Sequence, residues 1–139
     1  MIVLITGASS GIGRACCYEF ASKGADLIIL ARREEKLNEI ASDIQSKYNV
    51  KVLARVCDVR NYEQVKETID SLPPEWKTID VLINNAGLAR GLEKIQDGFI
   101  EKWEEMIDTN VKGLLYVTRC VLPIMIERNY GDIINIGSI

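Results

Sequence analysis

Five short runs of mostly apolar residues recur along this 139-residue chain, and stretches long enough for helices separate them. The runs are Ile2–Ile5, Asp26–Leu30, Lys51–Val56, Ile79–Ile83 and Asp132–Ile136. Runs this apolar suit strands covered on both faces, which is the condition of a parallel sheet. The stretches between them carry apolar residues at three- and four-residue steps. Ile12, Ala15, Cys16 and Phe20 mark a first helix that Gly24 ends, and Leu37, Ile40, Ala41 and Ile44 mark a second over Glu34–Lys47. A third is expected over Tyr62–Leu72, stopped by Pro73-Pro74. After a glycine- and alanine-rich segment from Asn84 to Gly98, one long helix is expected over Ile100–Arg128, bent or locally opened at Pro123.

The first strand runs directly into glycines at 7, 11 and 13, and the first helix follows. Strand, glycine loop and helix N-terminus together form an anion site. Glycine lets the backbone approach a phosphate closely. The unpaired N–H groups and the positive end of the helix dipole attract the charge. The spacing G-x-x-x-G-x-G also permits a plain strand-to-helix turn. Combined with the strand–helix alternation, it leads to an α/β, doubly wound parallel sheet of Rossmann type, strand order 3-2-1-4-5, with residues 1–139 as one dinucleotide-binding domain.

Bulk properties narrow the function. A net charge of −3 gives no reason to expect nucleic acid or an anionic membrane as partner, and no apolar run approaches a membrane span. There is no histidine, and Cys16, Cys17, Cys57 and Cys120 show no C-x-x-C spacing. A zinc site and a Ser-His-Asp scheme are therefore not expected. Reduced thiols in a cytoplasmic protein are.

In such a sheet, ligands lie past the strand C-termini. Ala31-Arg32-Arg33 follows the second strand, where a site selective for NAD would place an acid; two cations suit the 2′-phosphate of NADP, or merely begin a solvated helix. Cys57-Asp58-Val59 follows the third strand, and Asp58 either accepts from an adenine amino group or caps the next helix. Asn84-Asn85-Ala86-Gly87 follows the fourth, as a close backbone approach to a ligand or as a polar turn. Thr109-Asn110 interrupts an otherwise good helix. Gly137-Ser138 follows the fifth strand.

Taken together, Thr6-Gly7-Ala8-Ser9-Ser10-Gly11-Ile12-Gly13, Asn84-Asn85-Ala86-Gly87, Asn110 and Ile136-Gly137-Ser138 resemble the short-chain dehydrogenase/reductase family over the whole chain. Met1-Ile-Val-Leu-Ile-Thr-Gly7, Ser71-Leu-Pro-Pro-Glu-Trp76, Ile107-Asp-Thr-Asn110 and the stretch from Glu127 to Ser138 are similar to its bacterial NADP-dependent 3-hydroxy acid dehydrogenases, of the serine 3-dehydrogenase type. The resemblance implies a hydride transfer between NADP and a small hydroxy acid or related alcohol. It implies that Gly7, Gly11 and Gly13, in the loop with Ser10 and Ile12, hold the pyrophosphate. Arg32, with Arg33 and Ser9, would meet the 2′-phosphate, Asp58 and Val59 would flank the adenine, and Asn84, Asn85, Ala86 and Gly87 would line the path to the nicotinamide. Ser138 would hydrogen-bond the substrate oxygen, and Asn110 would help hold a relay water. A homotetramer built on the long helix is also implied.

The family's Tyr-x-x-x-Lys is not among these residues. Only Tyr62 has a lysine four positions on, Lys66, at the start of the third helix and in the wrong place for the family. The sequence stops one residue after Ser138, and the fifth strand would be an apolar sheet edge. The expectation is an N-terminal part of a longer enzyme; the alternative is a non-catalytic dinucleotide-binding module. An extended-type epimerase or dehydratase on the same fold is disfavoured by Ala31-Arg32, where such proteins carry an acid.

Overall fold

A computed structural model describes residues 1–138. Five parallel strands, β1 (Ile2–Thr6), β2 (Asp26–Ala31), β3 (Val52–Val56), β4 (Val81–Asn84) and β5 (Asp132–Asn135), form one sheet in the order β3-β2-β1-β4-β5. The registers pair Val3 with Leu27 and with Val81, Leu27 with Val52, and Val81 with Asp132. This is the expected order, with β1 at the centre.

Period-two alternation along the strands feeds two cores. Val3, Ile5, Leu27, Ile29, Val81 and Ile83 pack with Cys17 and Ala21 of α1 (Gly11–Ser22) and with Leu37, Ile40 and Ile44 of α2 (Glu34–Lys47). Leu4, Ile28, Leu30 and Leu82 face the other way. They meet Val65 and Ile69 of α3 (Tyr62–Asp70) and Val117, Val121 and Met125 of the helix that precedes β5. Each such fully buried aliphatic side chain contributes about 1.5–3 kcal/mol.

The expected long helix is three pieces. α4 (Ile100–Ile107) leads into a π-helical segment, Asp108–Gly113, and then into α5 (Leu114–Arg128). α5 continues through Pro123, and the opening lies upstream of it. Two contacts draw the widened segment inward: Asn110 bonds the backbone of Leu88, and Gly113 lies against Val59 so closely that a Cβ there would stand 2.6 Å from Val59 Cγ2. β4 begins at Val81 rather than Ile79. Asp80 is diverted: its Oδ2 accepts from Ile2 N (2.8 Å), while Oδ1 takes Arg128 Nη2 (2.9 Å). β5 is a sheet edge, and Ile134 and Ile136 are exposed. Among the described residues no helix is long and apolar enough to cross a membrane.

Candidate functional site

The crevice at the C-terminal ends of β1 and β4 is built around Thr6. Its buried hydroxyl oxygen accepts from Asn85 N (3.0 Å) and Ala86 N (2.9 Å), fixing the turn after β4 against β1. Asn85 answers with its side chain, donating from Nδ2 to Thr6 O and Gly7 O, both at 3.1 Å. The space between these segments has no room for side chains. A Cβ on Gly7 (φ +62) would lie 2.8 Å from Ala86 Cα, and one on Gly13 would lie 2.3 Å from both Gly7 O and Asn85 Nδ2. Gly11 differs: a Cβ there meets nothing within 4 Å, so the loop opens outward at that residue.

The N-terminus of α1 opens onto this space with its donors free. Ser10 makes no side-chain cap, and the first turn carries no acid. The first helical bond runs from Arg14 N to Ser10 O, and among the described residues the N–H groups of Gly11, Ile12 and Gly13 have no acceptor. The next two helices are treated differently. Asn61 caps α3 by accepting from Gln64 N (3.2 Å), and Glu34 and Glu35 occupy the first turn of α2. An uncapped, unneutralised helix start behind a glycine cradle fits a phosphate group.

Cations flank this opening. Arg33 precedes α2 and donates from Nη2 to Ser9 Oγ (3.4 Å), joining the loop after β2 to the glycine loop. Arg32 is exposed, with no side-chain hydrogen bond or ion pair among the described residues. Arg14 and Lys36 share a surface groove with Ser9, Ser10 and Gly11. No sequence motif marks these two. They are cations at the starts of amphipathic helices, and only the approach of α1 to α2 places them here.

Asp58 does not cap α3. Its carboxylate is gripped by Arg60, with Nη2 2.7 Å from Oδ2 and Nε 3.0 Å from Oδ1. These hydrogen bonds, against the opposing effect of partial burial, hold the carboxyl below its usual range. Val59 is buried against Gly113. Asn84 is 4% exposed and turns away from the crevice, its Nδ2 donating to Thr118 Oγ1 (2.9 Å) and Asn135 Oδ1 (3.0 Å). Gly87 lies under Asn110 Oδ1, which a Cβ there would approach to 3.2 Å. Ile136 N bonds Asn84 O (3.0 Å), so Gly137 and the exposed Ser138 lie just past the end of β5.

The glycine loop, Ser9, Ser10, Arg33 and the Asn85–Gly87 turn thus meet at one end of the sheet. Asp58 and Val59 sit beyond β3, and Ser138 beyond β5, on the two flanks. Thr6 and Arg60 also organise this end. Thr6 was legible as the residue before the first glycine; nothing in the sequence pointed to Arg60.

Residues 1–139 match the short chain dehydrogenase family. Over 138 residues, 99% of the chain, the sequence is 49% identical to an NADP-dependent 3-hydroxy acid dehydrogenase of Escherichia coli, of which it covers 54%. It is 47% identical to sulfoacetaldehyde reductase 2 of Chromohalobacter salexigens, again covering 99% of the chain and 54% of the relative. The fold superposes on the closed form of serine dehydrogenase complexed with NADP+ with a TM-score of 0.92, at 48% identity, covering 99% of this chain and 54% of that one. The chain spans about half the length of the curated relatives it matches.

Proposed function

The chain belongs to the short-chain dehydrogenase family, and on that premise we propose that it supplies the cofactor-binding portion of an NADP-dependent oxidoreductase. The observation that carries this reading is the uncapped start of α1, free of acidic residues, behind the glycine cradle and beside Ser9 and Arg33. Gly7, Ser10, Gly11, Ile12 and Gly13 hold the pyrophosphate on backbone N–H groups. Arg32, Arg33 and Ser9 take the 2′-phosphate, Asp58 and Val59 flank the adenine, and Asn85, Ala86 and Gly87 line the way to the nicotinamide. The nicotinamide, when bound, gives or takes the hydride.

Ser138 donates a hydrogen bond to the substrate oxygen and stabilises the charge that develops there. Asn110 holds a water of the proton relay. Its side-chain amide is held in place by the Leu88 backbone at both ends. The substrate is a small hydroxy acid or related alcohol, a class supported by what the compared proteins are named for. The whole protein self-associates as a tetramer through the outer face of the helical segment, where Ile107, Val111, Leu115, Leu122 and Ile126 are exposed at helical spacing. Its compartment is the cytoplasm, in keeping with the four free thiols.

Binding of NADPH and NADH to the full-length protein tests the cofactor. Loss of one charge-assisted contact costs roughly tenfold to a hundredfold, so Arg32→Ala weakens NADPH by that factor and leaves NADH nearly unchanged. Equal affinity for the two cofactors, or an unchanged NADPH affinity in the variant, refutes the assignment. Sedimentation of Leu115→Asp tests the assembly; a tetramer that persists places the interface elsewhere.

A further inference from the structure

Arg60 makes more bonds to Asp58 than the loop needs to keep its shape. The loop is already fixed without the ion pair: Asn61 N donates to Asp58 O (3.0 Å), Asp58 N donates to Gln64 Oε1 (3.1 Å), and Asn61 caps α3. On top of these, Arg60 places three donors on one carboxylate. Its backbone N and its Nε reach Oδ1 at 3.1 and 3.0 Å, and Nη2 reaches Oδ2 at 2.7 Å, with Nε shared to Oδ2 at 3.2 Å. What these bonds add is orientation of the carboxylate plane. Oδ1 then carries two donors, while Oδ2 carries one full bond and half of another, which leaves it a lone pair.

The guanidinium is itself held from behind. Arg60 Nη1 lies 3.9 Å from Glu105 Oε1 on α4, and Glu105 also takes Arg90 Nη2 at 3.4 Å from the segment after β4. The side chains of Asp58 and Arg60 are 25% and 32% exposed, so the pair sits at the rim of the sheet's C-terminal end and is partly accessible to a ligand.

We propose that Arg60 is a positioning residue for purine recognition, aiming the open edge of the Asp58 carboxylate so that it accepts from a 6-amino group and repels a 6-oxo group. This rests on the reading above that Asp58 meets the adenine. A carboxylate held ionised below its usual range can only accept. The geometry therefore selects an amino-purine by attraction and excludes an oxo-purine by repulsion.

The test is the affinity of the full-length protein for NADPH and for its reduced hypoxanthine analogue, which has an oxygen in place of the 6-amino group. The wild type is expected to prefer NADPH by roughly tenfold or more, since an oxo-purine leaves the carboxylate acceptor without its donor. Arg60→Gln and Arg60→Lys both collapse that preference by weakening NADPH, since lysine offers a charge without the planar fork. Asp58→Asn collapses it too. If Asp58→Asn loses the preference while both Arg60 variants keep it, the adenine reading of Asp58 stands and the role of Arg60 is overturned. If Arg60 variants weaken both cofactors equally, the pair is a loop brace and the inference is overturned. If Asp58→Asn keeps the preference, the adenine reading itself fails.

Discussion

Asn110 clasps Leu88 with both ends of its amide: Oδ1 accepts from Leu88 N and Nδ2 donates to Leu88 O, each at 2.8 Å. One side chain thus replaces a ladder partner for the strand-like segment after β4, and it does so from inside a π-helical segment. Asn110→Ala removes both bonds and is expected to cost about 1–2 kcal/mol. Hydrogen exchange reports it directly. The Leu88 amide becomes fast while the amides of β1 and β2 stay protected; unchanged protection at Leu88 rejects the clasp.

Gly11 and Gly13 separate two costs that a glycine loop usually mixes. At Gly13 a methyl group collides with Gly7 O and Asn85 Nδ2, both 2.3 Å away, so Gly13→Ala overpacks the crevice at about 1–3 kcal/mol. At Gly11 there is open space, and Gly11→Ala pays only for its left-handed backbone (φ +56), about 1–2 kcal/mol. Thermal melts together with NADPH titration distinguish them. Gly13→Ala loses both stability and cofactor affinity, whereas Gly11→Ala loses stability with a smaller effect on binding.

Thr6 is a test of hydroxyl against methyl. Thr6→Ser keeps the acceptor for Asn85 N and Ala86 N and is expected to be mild. Thr6→Val keeps the shape but leaves two backbone donors unpaired, at about 1–3 kcal/mol each. Chemical denaturation checks the ranking; equal midpoints for the two variants remove Thr6 from its central place.

Asp80 carries an acid-side prediction. Burial alone would raise its carboxyl, but the N–H of Ile2 and the Arg128 guanidinium prevail and hold it below the usual carboxylate range. A depressed folded pKa contributes stability in full above the unfolded value, near 4, and loses it as pH falls toward the folded value. Asp80→Asn is therefore less stable at neutral pH by about 1–2 kcal/mol and shows a flatter loss of stability below about pH 4. Denaturation midpoints from pH 7 down to about pH 3 decide it; parallel curves for the two proteins reject the assignment.

Cys17 is expected to be silent toward alkylation in the native state. Burial, and then its neighbour Cys16, push its thiol up to about 12. It is fully buried in the core, while Cys16 and Cys120 are only half-buried. Iodoacetamide at pH 8 followed by peptide mass analysis should find Cys17 modified only after unfolding. Modification at the rate of Cys16 or Cys120 contradicts the packing of α1.

The sheet order was legible because runs such as Leu27–Leu30 are apolar at consecutive positions, as strands of a doubly covered parallel sheet are. The glycine loop was legible for a similar reason, since Gly7 and Gly13 stand where two backbones meet. What periodicity could not carry was the use of polar side chains on backbone. Asn110 read correctly as a poor helix residue, but its partner Leu88 lies 22 residues away. The break therefore fell at Asp108–Gly113, while Pro123, the local signal for a bend, sits in a helix that runs on. Asp58 kept two readings because both a cap and a ligand contact use a carboxylate after a strand; Asn61, three residues on, took the cap.

The central place of β1 has a bearing on how the chain acquires its shape. Its first flank is closed by β2, the next strand to be made, with Val3 beside Leu27. Its second flank waits for β4, and the bond from Ile2 to Asp80 spans 78 residues. In a nascent chain, the most apolar strand of the sheet therefore keeps one open edge through the making of β3 and α3. The order of synthesis and the order of the sheet run outward from the same strand, but on one side with a long delay, and it is there that a growing chain is most exposed to pairing with the wrong neighbour.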